Sequence, residues 1–265
     1  MTVDINNQSL KKIEKEILSS SRVKQNKILQ LLKNDKRKGS QNIYKKVKNE
    51  IFKNEKEKNR YKNLFSLERK LLSESFSYIA GVDESGRGCL AGPLVAAAVI
   101  LPENAKIDGL KDSKQLNADQ RELLFLTILE TALSYRVEVF SNEVIDKDGL
   151  HKTNLRALKV ALENLSIKPD FALIDGYALN NLPMSSLRVI KGDFVSGSIA
   201  AASIVAKVHR DRIMKTLHKK FPEYGFISHK GYGSKKHLEA LSIHGTTSIH
   251  RKSFTIVKEI HETKP

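Results

Sequence analysis

The stretch YIAGVDESGRGCLAGPLVAAAVIL, residues 78–101, decides the fold. An apolar run from Tyr78 to Val82 ends in two adjacent carboxylates, Asp83 and Glu84. A glycine–arginine–glycine turn follows, and a second apolar run opens at Leu94. Two β-rich runs separated by a glycine-rich turn predict a pair of antiparallel strands. Further strands are expected at Tyr135–Phe140, Phe171–Ile174 and Leu187–Lys191, with the first three strands forming a meander. Helices are expected at Asp119–Leu133, Thr153–Leu165, Ser198–Phe221 and Lys235–Ile243. Strands alternating with helices imply an α/β domain built on a mixed sheet.

Upstream of residue 76 the chain changes character. Residues 1–75 carry a net charge of +11, and the remainder only +5 of the total +16. The first 75 residues hold one glycine, Gly39, and no proline. That shift predicts two domains, a basic helical extension over 1–75 and an α/β domain over 76–265. Leu10, Ile13, Ile17, Ile28, Leu31 and Leu32 form one apolar stripe, and Ile43, Val47, Ile51, Leu64, Leu67 and Leu71 form another. Two helices in a hairpin are therefore expected, serving either as a nucleic-acid grip or as a solvated packing appendage.

The excess of cations suits a polyanionic partner. A single cysteine, Cys89, excludes an internal disulfide and fits a reducing cytoplasm. No run of residues is apolar enough to suggest a signal core or a membrane span. A cytoplasmic protein with no membrane association is expected, and a monomer.

Three acids, Asp83, Asp175 in FALIDG and Asp193 in LRVIKGD, each follow an apolar run and stand near a glycine. Taken singly, each reads equally as a turn residue or helix cap. Taken together, carboxylates at neighbouring strand ends can converge on one rim of a sheet, where cations relieve their mutual repulsion. Oxygen ligands without histidine or cysteine point to Mg²⁺ or Mn²⁺, and such a rim suits phosphoryl chemistry. Glu84 joins Asp83 only if the chain leaves the strand there, because successive strand residues face opposite sides.

The ordered set AGVDESGRGCLAGPLVAAAVIL, GLKDSKQLN, ALIDG, KGD, SIAAASIVAKVHRD, YGF…HKGYGS and HRKSF resembles bacterial ribonuclease HII from about Ile79 to Phe254. The resemblance implies a ribonuclease H-like five-stranded sheet flanked by helices. It also implies an endonuclease that hydrolyses RNA in RNA–DNA hybrids and nicks 5′ of ribonucleotides embedded in duplex DNA. It puts catalytic and metal-binding roles on Asp83, Glu84, Asp175 and Asp193, and 2′-hydroxyl sensing on Gly86, Arg87 and Gly88. Tyr232 would pack on the deoxyribose beyond the junction, and Ser113 and Lys114 would contact phosphates. Ribonuclease HIII lacks the Gly-Arg-Gly turn, which favours type HII; activity on longer hybrids and catalytically silent hybrid binding are the alternatives. Cys89 and Phe194 depart from the family pattern, and residues 1–75 lie outside its core motifs.

Overall fold

The computed structural model describes residue 5 and residues 8–263, which divide into two compact units, one ending at Asn63 and one beginning at Leu64. The first unit contains α1 (Leu10–Ser19), α2 (Arg22–Asn34) and α3 (Ser40–Leu64, which runs to the boundary). Its core is Ile13, Ile17, Ile28, Leu32 and Val47 with Ile5. Where a two-helix hairpin is expected over residues 1–75, the described residues up to Leu64 already form three helices. The first stripe breaks at Ser20 and Ser21, both in extended backbone, so α1 ends and α2 restarts.

The second unit opens with α4 (Ser66–Ser73) and then builds β1 (Ile79–Ser85), β2 (Leu94–Ile100), α5 (Ala118–Thr131) and β3 (Ser134–Phe140). There follow α6 (Asn142–Asp148), α7 (Leu150–Glu163), β4 (Phe171–Asp175) and β5 (Ser185–Val189). The chain closes with α8 (Gly197–Lys220), α9 (Phe226–His229), α10 (Lys235–His244) and α11 (Thr255–Thr263). Among the described residues no helix is long and apolar enough to cross a membrane.

The five strands form one sheet in the order β3-β2-β1-β4-β5. The β1–β2 and β2–β3 pairs are antiparallel, as the expected meander requires, whereas β1, β4 and β5 run parallel. β5 lies two residues earlier than expected, because Lys191 adopts a left-handed conformation (φ 54°) that turns the chain away.

Each face of the sheet meets a different helix. Ala80, Val82, Ala96 and Ala98 pack with Ala157, Leu158, Ala161 and Leu162 of α7. On the other face α8 approaches β1 so closely that a Cβ on Gly81 would lie 2.1 Å from the backbone carbon of Ser198. Small residues at 197–198 and 200–203 of α8 make that approach possible. Leu71 of α4 packs on Ile79, Leu173, Val189 and Ile199, and Glu68 accepts hydrogen bonds from Ser196 Oγ (2.6 Å) and Ser198 N (2.9 Å) at the start of α8. The second compact unit thus begins about a dozen residues before the change in composition at 75/76.

Candidate active site

The parallel strands β1 and β4 bring two of the acids to one rim. Val82 pairs with Ile174, so Asp83 and Asp175, each the next residue, stand on adjacent strands, which lie about 4.8 Å apart in a sheet. Asp193 reaches the same rim from a 3₁₀ turn over Gly192–Phe194, just beyond β5. That turn is tied back to β4 by Gly192 N, which donates to Asp175 Oδ1 at 2.7 Å.

Glu84 departs from expectation. β1 does not end at Asp83 but continues through Ser85, with Glu84 opposite Ala96. The two neighbouring acids therefore face opposite sides of the sheet. Asp83 lies with Gly81 on the α8 side, where the Ser203 hydroxyl hydrogen-bonds it, and its Oδ1 accepts from Glu84 N at 2.7 Å. Glu84 lies with Val82 on the α7 side, beside the buried amide of Asn154.

The acids nonetheless share one electrostatic environment. Burial and the charges of Glu84 and Asp175 push Asp83 well above the usual carboxylate range. Burial and Asp175 push Glu84 up to about 7, while Arg87, Asn154 and Lys114 oppose the rise. Asp193 is pushed up to about 6 by burial and by the neighbouring Asp112, with Asp175 adding to it. Asp175 is common to all three, which makes it the electrostatic centre of the rim.

As they stand, no three His, Cys, Asp or Glu side chains among the described residues converge tightly enough to hold an ion. The donor chemistry nevertheless fits a hard cation. The candidate ligand atoms are all carboxylate oxygens, Asp83, Glu84 and Asp193 hold protons more tightly than a free carboxyl, and Glu84 Oε2 is buried without a hydrogen-bond partner. A site that retains protons so firmly is short of positive charge.

The remaining expected residues surround this rim. Gly86 has φ 92°, and a Cβ there would collide with the Arg210 side chain. Arg87 is exposed and lies over the Tyr177 ring at 5.5 Å; nothing stands within 4 Å of a Cβ at Gly88. Tyr232 is partly exposed and joins the same turn through an isolated bridge to Cys89. Burial chiefly pushes its phenol up to about 12, and burial also raises the Cys89 thiol. Lys114 is exposed, but Ser113 is buried with its hydroxyl 3.0 Å from Ser203 Oγ, facing α8 instead of the surface. Phe194 is exposed beside Asp193.

Several residues at the site are not apparent as such in the sequence. Asp112 is a fifth acid pressed on Asp193, and its carboxylate also accepts from Lys114 N at 2.9 Å. Asn154 is fully buried, with neither amide atom hydrogen-bonded. Lys207 and Asp211 form an ion pair at 2.7 Å, but Arg210 is fully buried and donates only to backbone carbonyls. A DSK, HRD or HRK run reads equally as surface charge, so only tertiary packing separates these roles.

Comparisons with known proteins agree with this geometry. A family model described as Ribonuclease HII matches residues 80–257, and one described as Ribonuclease HII N-terminal domain matches residues 9–72. The chain is 44% identical over 250 residues to Ribonuclease HII of Bacillus cytotoxicus, covering 94% of this chain and 96% of the relative. It is 47% identical over 211 residues to that of Ruminiclostridium cellulolyticum, covering 80% and 82%. Among solved structures, the ribonuclease H2 from Pyrococcus horikoshii superposes with a TM-score of 0.61 at 30% identity, over 70% of this chain and 98% of that one. Since both the extension and the sheet domain are matched, and the identity holds over nearly the full length of a relative, the chain belongs to the ribonuclease HII family.

Proposed function

We propose that this protein is a ribonuclease H that hydrolyses RNA within RNA–DNA hybrids and nicks on the 5′ side of ribonucleotides embedded in duplex DNA. The observation that carries the proposal is the carboxylate rim of Asp83, Glu84, Asp175 and Asp193, set beside the Gly86–Arg87–Gly88 turn, in which Arg87 and Gly88 are exposed. In this reading the four acids hold Mg²⁺ or Mn²⁺. When bound, the cations supply charge neutralisation at the scissile phosphate and ease deprotonation of the attacking water. Asp175, fixed by Gly192 N, anchors the rim, and the buried Asn154 amide stands beside Glu84 on the α7 side.

The turn supplies selectivity. Two glycines let bare backbone approach a sugar, and the 2′-hydroxyl is the group that distinguishes a ribonucleotide. Arg87 and Lys114, both exposed, suit phosphate contacts. The Tyr232 ring offers an apolar face to the next deoxyribose. The basic extension, residues 1–75, adds phosphate contacts that do not depend on sequence.

Asp83→Asn tests the assignment. Replacing one oxygen ligand at the rim is expected to abolish cleavage of a duplex carrying a single ribonucleotide, with duplex affinity within a few-fold of the unaltered protein. Cleavage at ordinary rates by this variant, or undiminished cleavage in excess chelator, would contradict it.

A further inference from the structure

Among the described residues Arg210 and Arg251 are the largest fully buried side chains, and neither is ion-paired with a carboxylate. A buried guanidinium is costly unless its donors are satisfied; here the acceptors are all backbone carbonyls of two turns. Arg251 Nη2 donates to Gly86 O (2.7 Å) and Gly92 O (3.0 Å), Nη1 to Arg87 O (2.8 Å), and Nε to Gly92 O (3.1 Å). Arg210 Nε donates to Pro93 O (2.9 Å), Nη2 to Ala91 O (3.1 Å) and Nη1 to Lys230 O (2.8 Å). Burial lowers Arg251 to about 10, which leaves it charged at neutral pH.

The planar trans peptide makes this arrangement directional. The C=O of one residue and the N–H of the next point to opposite sides of the peptide unit. With Gly86 O and Arg87 O both drawn inward to Arg251, the N–H groups of Arg87 and Gly88 are aimed outward. Neither donates to any group among the described residues. Arg210 extends the clamp to the second turn. Lys230 O is held by Arg210, Gly231 O accepts from Leu90 N at 2.8 Å, and Tyr232 bridges Cys89. The two arginines therefore fix the Gly-Arg-Gly turn and the Tyr232 turn as one block.

We infer that Arg251 and Arg210 are positioning residues for ribonucleotide selectivity, with Arg251 aiming the Arg87 and Gly88 amides and Arg210 holding Tyr232 in register with them. The inference rests on the reading of this turn as the sensor of the 2′-hydroxyl. It assigns the HRKSF segment a function at the site.

The test compares Arg251→Lys, Arg251→Gln and Arg210→Lys with the unaltered protein on two duplexes, one with a single ribonucleotide and one with a four-ribonucleotide tract. Folding is followed by circular dichroism, at a temperature where each variant is native. A lysine keeps the charge but carries its donors on one nitrogen and lacks the planar fork that spans these carbonyls. The expected result is a fall of about tenfold or more in kcat/KM on the single-ribonucleotide duplex, with a much smaller change on the tract, and Arg251→Gln more affected than Arg251→Lys. An equal fall on both duplexes, an unchanged ratio, or variants that do not fold even in the cold would overturn the positioning role in favour of plain core stability. Failure of the unaltered protein to cleave the single-ribonucleotide duplex would instead remove the functional reading beneath it.

Discussion

Glu84→Gln should stabilise the metal-free protein, and the size of the effect should depend on pH. Glu84 has a folded-state value raised to about 7 from an ordinary 4.5, chiefly by burial and by the Asp175 charge. Between those values the folded chain holds a proton that the unfolded chain has released. Stability therefore falls as pH rises through that window, and the penalty is complete above about 7. A shift of that size corresponds to about 3 kcal/mol, at 1.36 kcal/mol per unit. Glutamine removes the ionisation while keeping shape and the neighbouring Asn154, so the two proteins should be close in stability near pH 4.5. By about pH 8 the variant should be ahead by about 3 kcal/mol. Subtracting variant from parent cancels the titrating groups that do not interact with Glu84, including buried histidines whose contribution runs the other way, and leaves Glu84 with its effect on Asp83. Urea unfolding in chelator at several pH values reads the difference. Adding Mn²⁺ should narrow the gap at about pH 8, because a cation favours the carboxylate. A difference that is flat with pH, or a parent that gains on the variant as pH rises, would refute the electrostatic account of the rim.

Two further outcomes follow from the packing around it. Gly81→Ala should cost about 3 kcal/mol or more, because its Cβ would lie 2.1 Å from Ser198 C and 2.3 Å from Ile199 N, both backbone atoms that cannot rotate away; a loss below 1 kcal/mol in urea unfolding would show that α8 is not held as close as described. His237 and His250 face each other at 3.1 Å between ring nitrogens, and burial lowers them to about 4 and about 3. Their NMR ring resonances should stay unchanged between about pH 6 and 8, with stability lost as pH falls from the ordinary 6.5 toward those values; a midpoint near 6.5 for either ring would contradict their burial as a neutral pair.

Much of this architecture was legible from local signals. Apolar runs that stop at Asp83 and Asp175 mark strands because hydrophobic β-rich segments bury and their ends do not, and the short linker between β1 and β2 forces an antiparallel pair. The rim followed from the repeated placement of an acid at such ends. Glu84 was less legible, because the end of β1 is set by its partner: β2 extends far enough for Glu84 and Ser85 still to pair with Ala96 and Val95. Arg210 and Arg251 were hidden by the default that arginines face solvent; only the fold shows that carbonyls of two turns surround them. For the extension, composition and packing draw different limits. Composition is dominated by outward-facing lysines, so it groups α4 with α1–α3, whereas packing depends on a few inward residues such as Leu71, which belongs with Ile79 and Leu173. The break between α1 and α2 at Ser20–Ser21 was masked by an apolar stripe that resumes on the far side.

The most direct test of the central claim is to map the cut in a DNA duplex that carries one ribonucleotide, with Mg²⁺ or Mn²⁺ and a parallel chelator control. The account predicts a single metal-dependent nick immediately 5′ of the ribonucleotide, leaving a 3′-hydroxyl and a 5′-phosphate, and no cut in the all-DNA duplex. An intact ribonucleotide strand, or cleavage that ignores both the metal and the 2′-hydroxyl, would contradict it.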